Sequence, residues 1–264
     1  MSEETKKEKY EGHGNNWKAF IEDFDGKFGE MLVRAANNKD CKYLKNKERL
    51  DVGDFLGIVN DGPPLSTLVL CHIEEENSQV YSYYPFIQMD NPLDVEISKI
   101  DEWENGGEAV IWGSVNGVSV SFFDTLYFLN KDKYKIGETY QFNIVGLAHS
   151  FSKRIENLEF VAEEGPMKGE KFYTANMTSF VPNHGYGGEF SYMSPFESFS
   201  GTIEALGSKF YQYPFYLKNL EDGIAFSFPL FIRDKILGEY KPELNDPIAG
   251  TGWLQGYLVD SLKD

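Results

Sequence analysis

From Phe55 onward the chain alternates short runs of β-branched and aromatic residues with clusters of Gly, Pro, Asn and Asp, and this texture limits the fold more than any other feature. Successive side chains of a strand point to opposite faces, so such runs suit a pleated sheet covered on one or both sides. The clusters supply the backbone conformations that tight turns need. Strands are expected at 55–59, 67–73, 80–88 and 108–123, the last divided by a turn, with Asn60, Asp61, Gly62, Pro63 and Pro64 forming a loop. Aromatic side chains make up 16% of the residues (21 Phe, 16 Tyr, 4 Trp), a supply that favours sheets over helical bundles. The fold class read from this is mainly β.

The N-terminal part reads differently. Residues 1–16 are almost wholly polar, cannot bury enough apolar surface to offset the entropy of ordering, and are read as a disordered tail. Trp17, Phe20, Ile21 and Phe24 then share one helical face, and Met31, Leu32, Ala35 and Ala36 repeat the spacing after Gly26 and Gly29. Asn37 and Asn38 close this short helical segment. The expected organisation is a tail over 1–16, an N-terminal α+β segment over 17–100, a first β module over 101–165, a linker with a glycine- and aromatic-rich loop over 166–200, and a second β module over 201–264.

The two modules rest on an internal resemblance. Gly113 to Val115, Phe122 to Tyr127, the turn at Tyr134, Gly137 and Glu138, and a strand over 140–148 follow the same order of features as Gly201 to Ile203, Phe210 to Phe215, the turn at Tyr240, Asn245 and Asp246, and a strand over 248–258. On this alignment the second copy carries an inserted hairpin at 223–232. Two related antiparallel β modules follow, either OB-like small barrels or sandwich halves, with glycines where strands coil sharply. Two unrelated meanders with similar turn chemistry would read the same way.

Charge and cysteine content exclude more than they suggest. With 25 basic against 42 acidic residues the formal net charge is −17, so the surface repels phosphate backbones and nucleic acid is disfavoured as a partner. Cys41 and Cys71 form no CxxC, zinc knuckle or disulfide framework, which fits a reducing compartment. The N-terminus lacks the apolar core of a secretory signal, and no run approaches a membrane span; a soluble, cytoplasmic protein without a membrane partner is expected.

Chemistry is sparse. No GxSxG, HExxH, Walker A or GxGxxG string occurs, no metal site is expected, and no cofactor is implied. His13 falls in the tail. Cys71 and His72 are adjacent on a strand and point to opposite faces, and His149 ends a strand as a core or rim residue. His184 and Tyr186 stand in the glycine-rich stretch 183–188, where backbone can approach a ligand closely. With Trp112 and Trp253, which could stack on a ring, they form the candidate ligand-binding set. The reading that follows is a binding or interaction protein rather than an enzyme, with an unidentified protein or small molecule as partner. A hydrolase of neutral substrates such as carbohydrates is the alternative, and an OB-like binder of single-stranded nucleic acid a weaker one.

Overall fold

The computed structural model describes residues 13–22, 24–60, 62–75, 77–154, 159–161, 168–169, 171–173, 176–183, 187–218 and 223–262. It is mainly β, with antiparallel and mixed sheets. No helix among the described residues is long and apolar enough to cross a membrane.

The N-terminal layer comprises α1 (Gly14–Phe20), α2 (Phe24–Asn37) and the antiparallel sheet β1 (Lys42–Leu44), β2 (Phe55–Asn60), β3 (Leu65–Ile73) and β4 (Ser78–Ile87), in sequence order. Seven consecutive residues of β3, from Leu65 to Cys71, are buried, as expected of a strand covered on both sides. α1 packs on β4 through Trp17, whose indole N–H donates to the Tyr83 carbonyl at 2.9 Å. Residues 13–16, read as the end of a tail, include the start of α1, and His13 and Asn16 are buried. His13, Trp17 and Phe20 recur at helical spacing, so the apolar face begins one turn earlier than its first hydrophobic residue.

Apart from a separate antiparallel pair at 159–161 and 171–173, the remaining strands form one large mixed sheet that curls on itself. β5 (Pro92–Glu102), β6 (Ala109–Val115) and β7 (Val118–Asp124) form a meander; Asn116 and Gly117, both at positive φ (49° and 79°), make the β6–β7 hairpin turn. After the short helix α3 (Tyr127–Asn130), β8 (Thr139–Ala148) pairs antiparallel with β5. β17 (Pro247–Leu258) lies parallel to β7 and antiparallel to β8, which closes a ring β5–β6–β7–β17–β8. Its interior holds Val95, Ile97, Ile111, Val120, Phe122, Phe142 and Ile144, all at most 2% exposed. β5 crosses residue 100, where the sequence reading placed a module boundary.

Between β8 and β17 the chain forms β9 (Ser152–Lys153), β10 (Glu159–Val161), β11 (Lys171–Tyr173), β12 (Ser179–Pro182), β13 (Glu189–Pro195), β14 (Gly201–Ala205), β15 (Ser208–Lys218), β16 (Ile224–Arg233) and the short helix α4 (Asp234–Leu237). The stretch 166–200, read as a linker and loop, therefore contains β13, which ladders with β17 over seven residue pairs. Buried Phe190, Tyr192 and Ser194 alternate along β13 with partly exposed neighbours, a period that flanking Gly and Pro obscure. Residues 223–232, read as an inserted hairpin, lie almost wholly in the single strand β16. β16 pairs antiparallel with β15 and parallel with β8, and β14 forms the hairpin partner of β15.

Phe122 and Phe123 take opposite faces of β7 and both are fully buried. Phe122 packs in the ring interior against Phe142 (4.9 Å between centroids), whereas Phe123 faces the N-terminal layer, against Tyr84 at 5.0 Å. Trp253 and Tyr257 likewise join the core shared with the N-terminal layer while Leu254 points into the ring core.

Candidate functional site

A cavity of about 600 Å³ opens where the N-terminal layer meets the β14–β15 hairpin, a size suited to a small ligand or an inserted side chain. Ile21 from the end of α1, Met31 and Ala35 from α2, Leu65 from β3 and Tyr83 from β4 supply apolar surface. Glu30 and Arg34 on α2, Glu204 on β14, and Asn60 and Thr67 supply polar groups. The remaining wall is the hairpin turn itself, Leu206 and Gly207 at φ of 53° and 74°.

Leu206 is the unusual residue of this groove. Two-residue hairpin turns of this kind favour Asn, Asp or Gly, because a side chain with a Cβ pays roughly 1–2 kcal/mol in the left-handed region. The β6–β7 hairpin obeys that preference with Asn116 and Gly117. A leucine kept at the strained position is half-buried and faces the groove and the apolar core beside it.

A second feature is a buried polar chain. The His13 ring donates from Nε2 to Oε1 of fully buried Glu108 at 2.8 Å, and Ser82 Oγ donates to the same oxygen at 2.8 Å. Asn105 Nδ2 donates to the other carboxylate oxygen. His13 Nδ1 accepts from Asn16 Nδ2 at 3.5 Å, while Asn16 Oδ1 accepts from His149 Nε2 at 3.0 Å. Tyr84, Trp103, Phe123 and Trp253 box in the His13 ring with centroids 4.8 to 5.6 Å away. Such an enclosed pair fixes α1 to the ring; it leaves no room for substrate.

His149 is nearer the surface, beside a hollow of about 390 Å³ lined also by Lys18, Ala19, Glu189, Ile236 and Thr251. Burial pushes its imidazole down to about 4, so the ring is neutral at pH 7. Asp124 shows the opposite effect of burial: although Tyr134 Oη donates to it at 2.5 Å and the Leu126 amide at 3.0 Å, desolvation raises its carboxyl to about 7.

Of the candidates read from sequence, Trp112 and Trp253 are among the described residues. Trp112 is half-buried on β6, donating from Nε1 to Asp101 Oδ2 at 2.7 Å, with Lys99 Nζ 2.5 Å from Asp101 Oδ1 and 6.0 Å from the indole centroid. Trp253 is fully buried and donates to the Gly187 carbonyl at 2.7 Å, so its ring is committed to the core rather than to a ligand. Gly188 is stitched to β17 through its carbonyl, which accepts from Leu254 N at 2.8 Å. His184 and Tyr186 lie outside the described residues. Cys71 is buried and His72 half-buried, 4.0 Å from Glu74. Among the described residues no three His, Cys, Asp or Glu side chains converge as metal ligands. Sequence reasoning missed the groove because its walls come from segments far apart in the chain; the signal available was Leu206 directly before Gly207 at a turn.

Comparison with protein-family models, with curated proteins and with solved structures finds no match to this chain.

Proposed function

We propose that this chain is a non-catalytic binding protein built on two related OB-type barrels, and that its ligand or partner docks in the groove closed by Leu206. The strained leucine in the wall of this cavity is the observation that carries the reading: strain of this kind persists where a side chain is needed in one place. Two of the described histidines favour binding over hydrolysis, since buried His13 is walled in and half-buried His149 has its Nε2 committed to Asn16.

The barrel reading draws support from strand order. In the first ring the first strand pairs with the second and fourth, and the third lies parallel to the fifth, with a helix between third and fourth, the Greek-key arrangement of an OB barrel. The relation between modules is supported by matching turns. Gly137 and Asn245 both take positive φ (87° and 67°). Gly137 N donates to Ile97 O and Ile97 N to Glu138 O; Asn245 N donates to Phe196 O and Phe196 N to Asp246 O. This pairing matches β15 to β6 and β16 to β7, one strand later than the sequence alignment had it. The formal charge of −17 weighs against single-stranded nucleic acid as the ligand.

The test is a titration with 8-anilinonaphthalene-1-sulfonate, an apolar anion matched to the groove's apolar floor and to Arg34. One saturable site is expected, weakened at least tenfold by Leu206→Asp and by Met31→Asp in variants that retain the native circular dichroism spectrum, and unchanged by Trp112→Ala. Binding indifferent to both groove substitutions would overturn the groove. Turnover on a panel of esters and glycosides, abolished by His149→Ala, would move the protein to the hydrolases.

A further inference from the structure

β8 and β17 serve both the closed ring and the second part of the sheet, and exchange roles between them. In the first ring β8 follows the helix α3 and pairs antiparallel with the first strand, β5, while β17 lies parallel to the third strand, β7. In the second part of the sheet β17 follows the helix α4 and pairs antiparallel with β13, while β8 lies parallel to β16. The registers correspond: Phe123 stands opposite Gln255 beside β7, and Phe231 opposite Leu147 beside β16. The two strands cross through their own antiparallel ladder, with Leu254 opposite Gly146 and Leu258 opposite Phe142.

Each strand carries a glycine where it enters the other half. A Cβ on Gly256 of β17 would lie 2.6 Å from the Phe122 ring of β7 and 2.8 Å from Ile144. A Cβ on Gly146 of β8 would lie 2.7 Å from the Phe228 ring and 2.9 Å from Leu230, both of β16. These contacts are below what real Cβ atoms tolerate, and the atoms met are ring and branched carbons packed in a core. Each half thus has a third strand whose flank accepts the last strand of the other half and no strand of its own.

We infer that the β7 and β16 flanks are a reciprocal strand-exchange surface, whose fitting partner is a second copy of the same module, and that this chain is a covalently joined exchanged pair. The interface is isologous, as a two-fold dimer interface is, because β8 and β17 meet each other antiparallel and each donates to the other half. The exchange is independent of what the groove binds.

Hydrogen exchange on the full chain tests this. Gly256→Val is expected to raise amide exchange at least tenfold in β6 and β7 while β15 and β16 stay within about twofold of wild type. Gly146→Val is expected to do the reverse, deprotecting β15 and β16 although it sits in the first half of the chain. Each substitution loosening the half in which its own residue is encoded would overturn the inference. A second measurement covers variants that fail to fold: a specific protease site is introduced within 162–167 of the otherwise unaltered chain, and the protein is cleaved there under native conditions. The pieces are expected to co-elute at the size of the intact protein and to part only in denaturant; separation into two folded monomers in native buffer would overturn the exchange.

Discussion

At the scale of single residues, Leu206 sets stability against function. Replacing it with Asn relieves left-handed strain worth about 1 kcal/mol and loses a comparable amount of apolar contact. Leu206→Asn is therefore expected to melt within about 3 °C of wild type by differential scanning fluorimetry while losing at least tenfold in groove affinity. Asp124 and His149 make opposite claims on pH. The Asp124 carboxyl is raised to about 7 from an unfolded value near 3.8, so the folded state holds a proton the unfolded state has lost, and stability falls as pH rises between those values. The His149 imidazole is lowered to about 4 from 6.5, so stability falls as pH drops across that interval. Each effect is on the order of 3–4 kcal/mol, and within their shared window they oppose one another. Urea denaturation at pH 4.5 and 7.5 should show, relative to wild type, stability rising with pH in Asp124→Asn and falling with pH in His149→Asn. Equal pH responses in the three proteins would contradict both assignments.

At the scale of elements, α1 is held by a partner that no local pattern announces. His13 and Glu108 are 95 positions apart, and the carboxylate sits at zero exposure in a wall of aromatic rings. Removing the imidazole leaves a buried carboxylate with only Ser82 and Asn105, which typically costs about 3–5 kcal/mol. His13→Ala should lose stability on that order in urea, and Glu108→Gln added to it should return part of the loss; purely additive losses would mean that the pair is not coupled. Strand existence was legible where both faces of a run carry apolar residues, as in β3 and at Phe122 and Phe123 of β7. β5 was missed because Asp, Glu and Lys fill its outward positions, although Leu93, Val95 and Ile97 keep a period of two. The aromatic face of Trp253 and Tyr257 could be read from parity alone. Trp253 as a ligand platform could not be judged so, because burial depends on strands from elsewhere. The groove was illegible for the same reason: α2, the β2–β3 turn, β4 and the β14–β15 hairpin meet only in three dimensions.

At the scale of the whole molecule, shared strands leave no seam along which the ring and the second part of the sheet can part. A single cooperative unfolding transition is expected in differential scanning calorimetry, with the calorimetric enthalpy matching the van't Hoff value; two resolved transitions would show that the two halves melt separately. The parallel pairing of β7 with β17 also bears on the order of events during synthesis. Local contacts form quickly and distant ones slowly, because loop closure has to be met before the contact rewards it. As the chain leaves the ribosome, the β5–β6–β7 meander and β8 emerge with an open flank, and the strand that covers it is encoded at the end of the second half. The sides of Phe122 and Phe123 that Gly256 and Trp253 cover then wait for β17. A chaperone that shields aromatic surface during that interval would be worth more to this protein than to one whose barrels close in the order they are made.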